Sequence, residues 1–156
     1  MTYCSVALHR HSAADLVSQV SVECERRGIR LTALRKRVLE MVATSDTPVK
    51  AYDLLDKLKL EHAGAAPPTV YRALDFLIEQ GFVHRIESSN AYLSCPHPAH
   101  SHPSQFLICE ACGVTMELED VELDQRLFAQ ARAQGFKPSR QVVEIRGTCA
   151  RCAGSA

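Results

Sequence analysis

Residues 67–94 read PPTVYRALDFLIEQGFVHRIESSNAYLS. Within them Val70, Ala73, Leu74, Leu77 and Ile78 fall at i, i+3, i+4, i+7 and i+8, the apolar face of one α-helix. The spacing predicts a helix over residues 69–80, closed by Gly81, with Tyr71, Arg72, Asp75 and Glu79 facing outward. The prolyl pair is tolerated just before such a helix or in its first turn, where amide donors have no partner anyway. Residues 82–86 and 91–94 then read as two short strands around the polar turn 87–90.

Upstream, further helical patterns precede this unit. Residues 12–27 place Leu16, Val20 and Cys24 on one face, and Gly28 supplies a left-handed cap. Thr32 can cap a second helix with Leu34, Val38 and Val42 inward, and residues 51–61 form a third around Leu54, Leu55 and Leu58. Residues 1–11 read as a loose tail. Helices followed by a two-stranded ribbon make a winged helix-turn-helix, whose second motif helix enters the DNA major groove by its N-terminal residues. Tyr71 and Arg72 sit at that end. An arginine can donate two hydrogen bonds to guanine, and a tyrosine can reach phosphate or a thymine methyl.

Bulk charge adds nothing to this reading. The chain has 18 Lys+Arg and 18 Asp+Glu, so any nucleic-acid surface must be local. Arg26, Arg27, Arg30, Arg35, Lys36 and Arg37 form one basic cluster, which reads equally as a solvated helix face.

The second half opens on residues 95–117, CPHPAHSHPSQFLICEACGVTME. Prolines 96, 98 and 103 keep its beginning extended. Strands are expected over residues 105–108, 114–117 and 142–145. Between the last two, a helix runs from a cap at Glu119 or Asp120 to about Gln134, with Leu123, Leu127 and Ala131 on one face. Strand, strand, helix, strand is a very small α/β unit, and its exposed edge and thin core predict pairing with a second copy.

Cys109-x-x-Cys112 and Cys149-x-x-Cys152 both follow strand ends. Two such arms closing on one ion make a tetrahedral structural zinc site, with a rubredoxin-type iron as the chemical alternative. The metal would stabilise a domain too small to hold itself. A mixed donor set remains: His84 on the wing, Cys95 at the domain junction, His102 in the loop and Glu117 beyond the thiol pair. A metal site drawn from both domains would favour one domain arrangement and so act as a sensor. His97 and His100 are second choices as ligands.

Seven cysteines without an N-terminal apolar segment predict a cytoplasmic protein with reduced thiols. No apolar run is long enough for a membrane span. An enzyme is not expected: a catalytic zinc keeps an open position, and the His-x-Glu with Pro-Cys-x-x-Cys of deaminases is absent. A zinc-ribbon protein that binds only protein partners is the bland alternative.

With AYDLLDKL and residues 67–88 in place, followed by FLICEACG and the closing CARC, the chain resembles the ferric-uptake-regulator family, most closely its zinc-uptake branch. The resemblance covers about residues 13–152. It implies an α+β fold: a winged-helix DNA-binding domain over residues 1–94 and an α/β dimerisation domain over residues 95–156, with a hinge near 95–104. It implies structural zinc on Cys109, Cys112, Cys149 and Cys152, regulatory zinc on His84, Cys95, His102 and Glu117, and DNA contacts at Tyr52, Tyr71 and Arg72. Two zinc ions per chain follow. Iron-sensing relatives usually carry His-His-x-His just before the first Cys-x-x-Cys, whereas the spacer here is longer and includes a thiol. Ala33 replaces the family's frequent proline before the second helix. The expectation is a homodimeric, zinc-loaded repressor of zinc-uptake genes acting on A/T-rich palindromic operators. A sister regulator for iron, manganese, nickel or peroxide is the alternative.

Overall fold

A computed structural model describes residues 12–99 and 102–154. The expected tail over residues 1–11, and His100, lie outside them. The chain divides into two units, residues 1–100 and 101–156.

In the first unit, helix α1 (Ala13–Arg27) opens with a capping box. The Asp15 amide donates to Ser12 Oγ at 3.1 Å, and the Ser12 amide donates to the Asp15 carboxylate at 3.2 Å. It ends at Gly28, whose φ of 67° is the left-handed cap that disfavours a Cβ. Thr32 caps α2 (Ala33–Ala43) through the Arg35 amide, and α3 (Ala51–Glu61) follows. Helix α4 (Pro67–Glu79) begins two residues earlier than the expected start at residue 69, because both prolines occupy its first turn. Strands β1 (Val83–Ile86) and β2 (Ala91–Ser94) pair antiparallel, with His84 opposite Leu93. Val49 and Tyr92 exchange backbone hydrogen bonds of 2.8 and 2.7 Å, pinning the ribbon to the turn before α3.

The core of this unit is built largely from the faces read in the sequence, with Leu39 and Met41 of α2 added and Leu34 only partly buried. Leu39, Leu54, Leu58, Leu74, Leu77 and Phe82 are fully buried. Each such side chain contributes roughly 1.5–3 kcal/mol by leaving water. Tyr71 departs from expectation: it does not face fully outward but is half-buried and packs on the core. A tyrosine beside an apolar stripe can bury its ring and keep its hydroxyl accessible. The basic cluster is largely committed within the fold. Arg26 and Arg27 hold Glu23, Arg37 holds Glu40 and Glu61, and the Arg35 guanidinium lies 3.6 Å from the Phe76 ring centroid.

In the second unit, β3 (Gln105–Cys109) is the central strand of a sheet ordered β4-β3-β5. It pairs antiparallel with β4 (Thr115–Leu118) and parallel with β5 (Val143–Gly147). Helix α5 (Val121–Ala133), capped by Asp120, makes the crossover that a parallel pair requires. Phe106 and Gln105 are fully buried. The α5 face expected inward is not buried: no residue of the helix is, and Leu127 is 41% exposed. A three-stranded sheet with strands of four or five residues has too little surface to cover it. A short helix not anticipated from the sequence, α6 (Ala150–Ala153), carries Cys152. Among the described residues no helix is long and apolar enough to cross a membrane.

Candidate metal centres and nucleic-acid interface

The thiol quartet is assembled by strand pairing. Cys109 ends β3, and its register partner on β5 is Gly147, so the chain that continues from β5 delivers Cys149 and Cys152 beside the first pair. The turn after Cys109 is closed by the Gly113 amide donating to the Cys109 carbonyl at 2.9 Å, with Gly113 at φ 74°. The amide of Glu110 donates to the Gly147 carbonyl at 2.8 Å and locks the two loops together. The four sulfurs lie within 4.8 Å of one another. Cys112 Sγ and Cys149 Sγ are 3.8 Å apart. That is far beyond a disulfide of about 2.05 Å. It matches the ~3.8 Å edge of a tetrahedron with zinc–sulfur bonds of about 2.3 Å.

The local electrostatics fit a divalent cation. The Cys149 and Cys112 amides point at Cys109 and lower its thiol to about 6. The Val114 amide, then the Arg151 guanidinium, lower Cys112 as well. Cys152, hydrogen-bonded to Cys149 and Cys112, is pushed up to about 12. Four crowded sulfurs resist full deprotonation by themselves, and a bound dication removes that conflict. Arg151 was not anticipated. Its signal is a cation placed inside the second Cys-x-x-Cys loop.

Of the mixed donors, His84 and Cys95 belong to the first unit and His102 and Glu117 to the second. On the ribbon, His84 is half-buried on β1 and Cys95 is fully buried just past β2. The Cys95 amide donates to the Phe82 carbonyl at 2.9 Å, continuing the β1–β2 register, so Cys95 and His84 share one face. In the second unit, Glu117 lies on β4 opposite Phe106. His102 Nδ1 lies 3.2 Å from Glu117 Oε1, with both side chains less than a tenth exposed. Two nitrogen or oxygen ligands on one tetrahedral zinc are separated by about 3.3 Å, so this pair is spaced for a shared ion. His97 is exposed.

On the recognition helix, Arg72 is exposed and Tyr71 partly so. Tyr52, in the first turn of α3, is 66% exposed. Tyr71 and Arg72 lie in the second turn of α4.

The description of the Ferric uptake regulator family matches residues 26–146. The zinc uptake regulation protein of Escherichia coli (strain K12) is 39% identical over 146 residues, covering 93% of this chain and 85% of that protein. A zinc uptake regulator solved in complex with zinc and DNA superposes with a TM-score of 0.87 at 39% identity, covering 92% of this chain and 97% of that one. Holo XcZur gives a TM-score of 0.84 at 46% identity, covering 92% of this chain and 99% of that one.

Proposed function

Because this chain belongs to the ferric uptake regulator family, matched over residues 26–146, we propose that it is a zinc-responsive transcriptional repressor of zinc-uptake genes. The observation that carries this reading is the likeness, at 39% identity and nearly full length, to a regulator solved with both zinc and DNA. The donor chemistry supports it. Four thiols suit a closed structural zinc site, and two imidazoles, a thiol and a carboxylate suit zinc better than a harder ion.

The chain would hold two zinc ions. Cys109, Cys112, Cys149 and Cys152 keep one throughout and hold the second unit folded. His84, on the DNA-binding half, Cys95, at the junction, and His102 and Glu117, on the other half, bind the regulatory ion. The halves are the DNA-binding domain, residues 1–94, and the dimerisation domain, residues 95–156, joined by a hinge near 95–104. Ligation from both halves favours one arrangement of the domains, and a ligand can shift that equilibrium only by its difference in affinity for the two states. The uncovered face of α5, where Leu127 is 41% exposed, suits burial against a second copy. The dimer then sets two α4 helices against the half-sites of an A/T-rich palindrome. Tyr52, Tyr71 and Arg72 contact the DNA. The protein works in the cytoplasm, and neither metal set leaves the open position that catalysis needs.

The test uses His84→Ala and Cys95→Ser in the full chain. Both should remain dimers with one zinc per chain and lose zinc-dependent operator binding. Unchanged zinc-dependent binding in both variants would sink the regulatory site. Operator binding driven equally well by iron or manganese would sink zinc as the sensed metal.

A further inference from the structure

One arginine bridges the end of α4 and the segment just after Cys95. Arg27, the last residue of α1, donates from Nη1 to the Gln80 carbonyl at 2.8 Å and from Nη2 to the Pro98 carbonyl at 3.0 Å. Gln80 is the C-cap of α4, where a carbonyl lacks an intrahelical partner. Pro98 is buried and lies just downstream of Cys95. The guanidinium carbon also stands 5.2 Å from the Phe82 ring centroid, and Phe82 is the residue whose carbonyl accepts the Cys95 amide. Glu23, only 6% exposed, orients the guanidinium through Nε at 2.5 Å.

We infer that Arg27 is a positioning residue for the Cys95 half of the regulatory site, tying that ligand's segment to the end of the recognition helix. The inference rests on the proposed role of Cys95. The planar fork of arginine satisfies two carbonyls on different segments at once, which a lysine ammonium on its flexible stem does not reproduce with the same order. With the Pro98 carbonyl held, the chain around Cys95 is ordered before any metal arrives. Without it, the ordering cost falls on the binding step.

The experiment measures zinc affinity directly, by competition of the full-length protein against a chelator, alongside operator binding. Cobalt substitution reports Cys95 ligation through the thiolate-to-cobalt charge-transfer band. In Arg27→Met, affinity for the regulatory ion should fall about 10–100-fold, as partners that orient metal ligands typically show. Structural zinc should be retained, and operator affinity at saturating zinc should be preserved. Arg27→Lys should fall in between. Val20→Ala serves as the control, because it loosens the same unit by a core cavity and touches neither carbonyl; its zinc affinity should match the parent. Equal zinc affinity in Arg27→Met and the parent overturns the inference, as does an equal loss in Val20→Ala. Cys95→Ser separates the two levels. If that variant keeps its zinc response, the site reading fails; if it loses the response while Arg27→Met does not weaken, only the positioning role fails.

Discussion

Cys112 and Cys149 are 37 positions apart in the chain, and their sulfurs stand 3.8 Å apart. Nothing covalent joins them; the parallel β3–β5 pairing brings them together, and a shared zinc would hold them there. Structural zinc contributes roughly 10–16 kcal/mol in small zinc-stabilised peptides, comparable to or above a whole domain's stability. Cys149→Ser, or removal of the ion by a strong chelator, should therefore unfold the second unit and leave the first folded. Hydrogen exchange checks this: protection should vanish across β3 to β5 and persist through α1 to α4.

Arg72 is exposed at the helix end that a major groove would meet. Arg72→Ala should weaken operator binding by about 1–3 kcal/mol, roughly 5–150-fold, and relax the base preference at one position of each half-site. Zinc affinity should not change. Fluorescence anisotropy at fixed salt, in zinc excess, measures the first effect, and chelator competition checks the second.

The Glu23 carboxyl, hydrogen-bonded to Arg26 and then Arg27, is lowered from 4.5 to about 2 in the folded protein. A depressed carboxylate contributes stability that is fully present above its unfolded value and is lost as pH falls toward the folded one. The stability difference between the parent and Glu23→Gln should thus be constant above about pH 4.5 and shrink between about 4.5 and 2. Urea midpoints of both proteins, compared across that range, read it out. A constant difference throughout would contradict the pairing.

Leu74 is fully buried on α4, whereas Leu60 on α3 is 88% exposed. Leu74→Ala should cost about 2–5 kcal/mol through lost burial and the cavity left behind. Leu60→Ala should stay within about 0.5 kcal/mol. Denaturant unfolding of the two variants under identical zinc loading compares them.

The first unit was legible because its pattern is local. The α4 period, the Thr32 cap and the Gly28 stop are each set within a few residues, and each appears where the spacing puts it. Pro67 was ambiguous, since a proline suits both the residue before a helix and its first turn. Both Cys-x-x-Cys arms were legible from ligand spacing alone, and the sheet register brings them together. Helix α5 was not, because a 3.6-residue period marks an apolar face without saying which surface covers it. Four residues of α6 are too few for any period. The Arg27 contacts to Gln80 and Pro98, 53 and 71 positions away, join a side chain to backbone carbonyls, and no residue type advertises a carbonyl.

Strand β3 ends on Cys109, and its Phe106 stands opposite Glu117 on β4. A register that leans on the thiol quartet at one end is lent, along the same strand, to a carboxylate of the mixed set. The order of loading follows. On the proposed reading the quartet would fill as the chain folds, before Glu117 has a fixed place to offer, and only the surplus would be there to be counted. Starvation would empty the counting site first and leave the scaffold whole. Four residues of strand, Phe106 to Cys109, would thus separate zinc as building material from zinc as message.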